Sequence, residues 1–159
     1  MIVRLACIER GDLVNSFGKV GMVLWFQGCS IRCNGCHNPQ LIPMHGGSEY
    51  TTEQIVDMVA ENVDWLRDGY VVFLGGEPTD QLSALLDING SLKSIGLKTV
   101  LYTGRTEEEL YQLGVEVADF DIVKVGGYDE TQINENSAFI SENQYLLLGG
   151  IRHESEYHI

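Results

Sequence analysis

A nearly unbroken apolar run, Val20-Gly21-Met22-Val23-Leu24-Trp25-Phe26, leads across a single glutamine into Gly28-Cys29-Ser30-Ile31-Arg32-Cys33-Asn34-Gly35-Cys36-His37-Asn38-Pro39. Continuous apolarity over so short a stretch marks a strand buried on both faces, as in a parallel sheet covered on both sides. The cysteines then begin at the carboxyl end of a strand, the edge where open α/β sheets and barrels put their ligands. Three of the four cysteines fall within eight residues, with the spacing C-x3-C-x2-C. Thiolates on one loop suit soft metals, either iron in iron–sulfur clusters or zinc. A cubane cluster has four irons and usually four thiolate ligands. Three cysteines with no fourth nearby imply one iron left open to another ligand, which is where chemistry could occur.

Further apolar runs, separated by helical patterns, extend the α/β reading. Ile2 to Glu9 reads as a leading strand, on a sheet edge, with Cys7 a small buried hydrophobe. After a linker over Pro43 to Ser48, Thr51 and Gln54 form a capping box. The helix they open carries Ile55, Met58, Val59, Asn62, Val63 and Leu66 on one face. Tyr70 to Leu74 is a second buried strand, followed by Gly75-Gly76-Glu77-Pro78 and a helix bearing Leu82, Leu85 and Leu86. Leu97 to Thr103 is the next strand. Glu107 then opens a short helix with Leu110, Tyr111 and Leu113 facing inward, its acids favoured by the helix dipole. Phe120 to Val125 and Tyr145 to Leu148 complete the strands. Strands alternating with helices imply right-handed βαβ units and a mainly parallel sheet. Five such strands are too few to close an eight-stranded barrel, so an open partial (β/α) barrel with about five parallel strands plus an N-terminal edge strand is the expected architecture. Residues 1–150 form its single domain, and Ile151 to Ile159 a polar tail.

With 10 Lys and Arg against 23 Asp and Glu, the formal charge is −13, which argues against a nonspecific grip on nucleic acid or an anionic membrane. Every apolar run is far shorter than the ~20 residues a membrane helix needs. The N-terminus lacks the apolar core of a secretory signal, so a reducing cytoplasm is expected, where clustered cysteines mean metal before disulfide.

Cys29-x3-Cys33-x2-Cys36 after one strand, with Gly75-Gly76-Glu77-Pro78 after the next, resembles the radical S-adenosylmethionine (SAM) superfamily. The resemblance implies the partial barrel, and a [4Fe–4S] cluster held by Cys29, Cys33 and Cys36 whose fourth iron is chelated by SAM. It also implies the reaction: one electron cleaves the sulfonium C–S bond, and the resulting 5′-deoxyadenosyl radical takes a hydrogen atom. Gly75, Gly76 and Glu77 would meet the SAM ammonium through extended backbone or the acidic side chain. Cys33-Asn34-Gly35-Cys36-His37-Asn38 is most similar to the activators of glycyl-radical enzymes, above all that of anaerobic (class III) ribonucleoside-triphosphate reductase, with a glycine before the last cysteine and an aromatic and an asparagine after it. Tyr102-Thr103-Gly104, Lys124-Val125-Gly126-x-Tyr128 and Glu142-Asn143-Gln144 resemble later segments of that family more loosely. Glu77 stands where Asp is frequent, and Gly127 where Pro is common.

The implied SAM-site residues are Gly35, His37, Asn38, Gly75, Gly76, Glu77, Thr103 and Lys124. His37 packs on adenine, shields the cluster, or is a surface residue; Lys124 pairs with the SAM carboxylate or a nearby acid, or caps the sheet edge. The implied partners are the reductase's glycyl-radical subunit and a low-potential electron donor such as flavodoxin or ferredoxin. No remaining cysteines suit a second cluster, and no further domain is expected. Alternatives are an activase of a formate-lyase-type enzyme, a small-molecule enzyme such as 7-carboxy-7-deazaguanine synthase, and a structural zinc module. In the zinc module, adjacent Cys36 and His37 would not readily share one tetrahedral ion. Trp25, Phe26 and Phe73 read as core, and His45, His153 and His158 as exposed.

Overall fold

The central apolar run becomes a strand over Gly21–Phe26, buried throughout except at Trp25, which is half-buried. A computed structural model describes residues 1–133 and 141–153. In chain order the strands are β1 (Ile2–Asp12), β2 (Gly21–Phe26), β3 (Ser48–Thr51), β4 (Tyr70–Gly75), β5 (Thr99–Tyr102), β6 (Ile122–Val125), β7 (Tyr145–Leu148) and β8 (Ile151–His153). They form one eight-stranded sheet in the order β3-β1-β2-β4-β5-β6-β7-β8. The helices are α1 (Thr52–Ala60), α2 (Val63–Leu66), α3 (Leu82–Ser94) and α4 (Glu107–Gln112).

The fold is mixed α/β, with β2, β4, β5 and β6 as its parallel centre. The expected fifth parallel strand, Tyr145–Leu148, instead runs antiparallel to β6. Among the described residues no α-helix lies between β6 and β7, and without a crossover the chain re-enters the sheet at the end it left. Nor is β1 an edge. Ser48–Thr51, which runs from the last residue of the expected linker to the expected N-cap, pairs outside it, and its four residues carry no apolar alternation that would have signalled a strand. The expected polar tail begins with β8, paired to β7; residues 154–159, including His158, lie outside the described residues. Cys7 is exposed rather than buried, because a register irregularity between Leu5 and Cys7 breaks the alternation of β1.

The central strands are buried on both faces. Ile55 and Val59 of α1, Leu85, Ile88 and Leu92 of α3, and Leu110 of α4 pack with Leu24, Phe26, Phe73 and Leu101. The opposite face gathers Val23, Val72, Leu74, Val100, Ile122 and Leu146 into a second cluster. Among the described residues, no helix residue belongs to that cluster. Its aromatic cover is Phe17, from the loop after β1, with the ring stacked 6.2 Å from Tyr102 and edge-on 6.4 Å from Tyr70. The six-residue α4 has room for one inward position, so Leu110 is buried while Tyr111 is 80% exposed and Leu113 39% exposed, against the expectation for both. The longest described helix, α3, has 13 residues, and none is long and apolar enough to cross a membrane.

The capping box opens α1 as expected. Thr51 Oγ1 accepts from the Gln54 N–H at 3.1 Å, and Gln54 Oε1 accepts from the Thr51 N–H at 2.8 Å. The apolar face then breaks between α1 and α2, where the Asn62 side chain donates to the Met58 carbonyl at 2.8 Å and competes with the helix. Thr51→Ala should remove about 1 kcal/mol of stability, lowering the midpoint of a circular-dichroism melt by roughly 2–4 °C.

Candidate cofactor site at the carboxyl ends of the parallel strands

Strands β2 and β4 pair from Gly21↔Tyr70 to Phe26↔Gly75, and their pairing continues past both ends. The Gly76 N–H donates to the Phe26 carbonyl at 2.9 Å and the Glu77 N–H to the Gly28 carbonyl at 2.8 Å. Such an approach needs bare backbone. Gly75 holds φ +127°, and a Cβ there would stand 2.5 Å from Phe26 N and O; one on Gly76 would stand 2.1 Å from the Gly28 oxygen. The glycines thus bring the chain after β4 against the chain after β2, an approach to protein backbone where a ligand was expected.

This contact sets the start of the cysteine loop. Gly28 and Cys29 donate their N–H groups to Leu41 and Ile42, which close the loop at its base, and Cys36 N–H bonds the Cys33 carbonyl at 3.2 Å. The N–H groups of Arg32 and Ile31 favour the Cys29 thiolate. Burial pushes the Cys29 thiol up, and those two donors pull it back down. Cys29, Cys33 and Cys36 all line one cavity of about 250 Å³. His37, Asn38, Gly75, Gly76, Glu77, Thr103 and Lys124 line it too. Gly35 does not; it takes φ +68° at an exposed turn beside the Glu130 carboxylate.

Glu77 is 1% exposed, and its carboxylate is committed inside the protein. Oε1 accepts from Thr79 N–H at 3.1 Å, Thr79 Oγ1 at 2.6 Å and Thr103 Oγ1 at 2.8 Å; Oε2 accepts from Gly104 N–H at 2.9 Å. Burial pushes its pKa up while these donors pull it down. The carboxylate ties the end of β4 to the end of β5, and Thr103 spends its hydroxyl proton in the same tie.

The far wall comes from β6. Lys124 is half-buried opposite Tyr102, with Nζ 5.2 Å from the ring centroid, and burial pushes its pKa down to about 8. Since β6 lies between β5 and β7, Lys124 does not cap a sheet edge. Gly127 sits against the Cys33 sulfur, and Tyr128 packs on His37 with ring centroids 4.6 Å apart. Asn143 and Gln144 donate their side-chain amides to the Gly127 and Gly126 carbonyls at 2.8 and 3.0 Å, clamping this loop. Trp25, read as core, lines the cavity and donates to Glu9 at 3.0 Å, whereas Phe26 and Phe73 are fully buried. Asn15 and Arg32 also reach the wall. No spacing marked Asn15, whose carbonyl accepts from Tyr102 Oη at 2.9 Å. His45 and His153 are exposed.

The donor set suits a cluster. Thiolates are the usual ligands of [4Fe–4S] centres, and here three thiols share one cavity. Among the described residues no three Cys, His, Asp or Glu side chains close on a point that a single metal ion could occupy.

Residues 14–147 match the family model described as a 4Fe–4S single cluster domain. The chain is similar to the pyruvate formate-lyase-activating enzyme of Clostridium pasteurianum, 34% identical over 132 residues covering 79% of this chain and 55% of that protein. It is 27% identical over 151 residues to the pyruvate formate-lyase 1-activating enzyme of Escherichia coli (strain K12), covering 92% of this chain and 61% of that protein. The chain thus spans 55% and 61% of the length of these two relatives. The crystal structure of QueE from Escherichia coli superposes with a TM-score of 0.55 at 17% identity, over 67% of this chain and 54% of that one, a likeness of fold alone.

Glu77→Gln puts an amide donor against the Thr79, Thr103 or Gly104 donors. The loss should be about 1–3 kcal/mol, read as a thermal midpoint lowered by roughly 2–4 °C per kcal/mol at neutral pH. An unchanged midpoint would show that the carboxylate does not tie the two strand ends.

Proposed function

We infer the function of this chain as a member of the 4Fe–4S single cluster domain family, to which it belongs. Its cofactors are a [4Fe–4S] cluster and S-adenosylmethionine. We propose that it is a radical-SAM activating enzyme that generates a glycyl radical on a partner enzyme. The observation that carries this reading is the shared cavity: three loop thiols, the Gly75-Gly76 backbone and the Lys124 ammonium face one space at the carboxyl ends of parallel strands. The open partial barrel belongs to the same reading, supported by the second face of the sheet, whose apolar cluster includes no helix residue among the described residues.

In this reading Cys29, Cys33 and Cys36 would hold the cluster. When bound, cluster and SAM together supply one-electron cleavage of the sulfonium and hydrogen-atom abstraction from the partner glycine. The residues of the chain do the rest. Lys124, charged below about pH 8, offers its ammonium to the SAM carboxylate. Gly75 and Gly76 offer backbone at the cavity wall, and Asn38 a side-chain amide. Glu77 and Thr103 shape that wall from behind, because their polar atoms are already engaged. His37 and Tyr128 form an aromatic border beside Cys36 on which the adenine can pack.

The partner we propose is anaerobic ribonucleoside-triphosphate reductase, supported by the loop Cys33-Asn34-Gly35-Cys36-His37-Asn38. A formate-lyase-type enzyme is a second reading, favoured by the similarity to two pyruvate formate-lyase activators. Flavodoxin or ferredoxin is the proposed electron donor. The reconstituted chain, reduced with SAM and mixed anaerobically with each partner in turn, should give the electron-spin-resonance doublet of a glycyl radical with the reductase. A doublet with the formate-lyase alone would transfer the assignment to the second reading.

Two variants test the residues. Cys33→Ala should reduce 5′-deoxyadenosine release from SAM to background; normal release would remove Cys33 from the ligand set. For Lys124, a carboxylate ligand raises the ammonium pKa again, so binding takes up a proton once the free side chain titrates. SAM affinity should therefore hold below about pH 8 and fall above it by up to about tenfold per pH unit. In Lys124→Met the affinity should be weak and flat across the same range.

A further inference from the structure

Ser30, the residue after Cys29, is held by a carboxylate from the turn that follows Gly75-Gly76-Glu77. Its N–H donates to Asp80 Oδ2 at 2.6 Å and its hydroxyl to Asp80 Oδ1 at 2.8 Å. Asp80 is in turn paired with Arg105, Nη2 to Oδ1 at 2.8 Å, and the two side chains are only 12% and 20% exposed. Arg105 also donates through Nε to Thr79 Oγ1 at 2.7 Å, and the Thr79 hydroxyl donates in turn to Glu77 Oε1 at 2.6 Å. The turn is pinned below as well. Gln81 exchanges hydrogen bonds with the Arg4 backbone at 2.7 and 2.9 Å and donates to the Gln27 carbonyl at 3.0 Å.

Asp80 therefore stands on a rigid platform while Ser30 lies on a loop. Immediately after Ser30 the chain turns at Arg32, whose φ of +54° is a conformation that non-glycine residues adopt only under constraint. The N–H groups of Arg32 and Ile31, at that turn, favour the Cys29 thiolate. We propose that Asp80, held by Arg105, is a positioning residue for the cysteine loop: it grips the Ser30 N–H and so aims the Ile31 and Arg32 N–H groups at the Cys29 sulfur, setting the reduction potential of the cluster. The consequence for potential rests on the reading of Cys29 as a cluster ligand; the grip does not. Hydrogen bonds to ligating sulfur are among the protein's levers on iron–sulfur potentials, because they stabilise the added electron.

A charge-matched pair of variants isolates the effect. Asp80→Asn and Asp80→Ala both remove the negative charge, but the asparagine carbonyl can still accept from Ser30. In the unloaded full chain, amide hydrogen exchange at Ser30, Ile31 and Arg32 should be about two- to tenfold faster in Asp80→Ala than in Asp80→Asn, the scale of one lost neutral hydrogen bond. Exchange within α3 should be equal in the two, which reports that both are folded. After anaerobic reconstitution, at one fixed solution potential, the ratio of reduced to oxidised cluster should be about three- to tenfold lower in Asp80→Ala than in Asp80→Asn. Equal exchange rates overturn the grip, and faster exchange with equal potentials overturns its effect on the sulfur. Should Asp80→Ala not fold, Arg105→Gln carries the same two measurements, with faster exchange at Ser30 expected and an unchanged rate overturning the proposal. Wild-type protein that takes up no iron defeats the cluster reading and leaves the exchange test standing.

Discussion

The structure depends on the approach of two backbones beyond the ends of β2 and β4, where Gly76 and Glu77 donate to Phe26 and Gly28. A parallel pair normally parts where its strands end. Here the ladder runs two residues further, and a side chain on Gly75 or Gly76 would collide with that backbone. The start of the cysteine loop, the burial of Glu77 and the placing of Asp80 all follow. Each lies within five residues of these bonds, and each hydrogen-bonds a different neighbouring element.

The polar groups at this edge act as ties between loops. Glu77 joins the ends of β4 and β5, Asp80 and Arg105 reach the cysteine loop, and Asn143 and Gln144 hold the loop after β6 to the segment that leads into β7. A dry carboxylate is costly unless its lone pairs are filled, and Glu77 fills them with four donors. The formal charge of −13 belongs to the whole chain and does not describe the cavity, whose lining includes Lys124 and Arg32.

Much of the sheet was legible from composition alone. Doubly buried strands are written as continuous apolar runs, as β2 and β4 are, and β5 and β6 are nearly so, broken by Thr99 and Lys124. Strands whose burial comes from pairing leave no such trace. Ser48–Thr51 and Ile151–His153 are polar or exposed, and they became strands because a neighbour offered an open edge. Helix starts were legible because a capping box is local, as at Thr51. The inward face of α4 was not, since one turn of helix is too short for periodicity to separate Tyr111 from Leu110.

The sequence by itself determined the chemistry available: three thiols on one loop, a glycine pair at the next strand end, and a lysine on a later strand. Residue type and short-range spacing settle such things, because a loop of eight residues can bring its own sulfurs to one region in any fold that leaves it exposed. Only the tertiary structure decided which polar groups remain for a ligand. Glu77, placed by its motif at the cofactor, is turned inward and consumed by Thr79, Thr103 and Gly104, while Asp80 and Arg105, which no motif singled out, hold the loop that carries Cys29. The reason is that hydrogen-bond satisfaction is a long-range property. Whether a carboxylate is free depends on donors that arrive from 25 or more residues away, as Arg105 does at Asp80, and no local pattern records them.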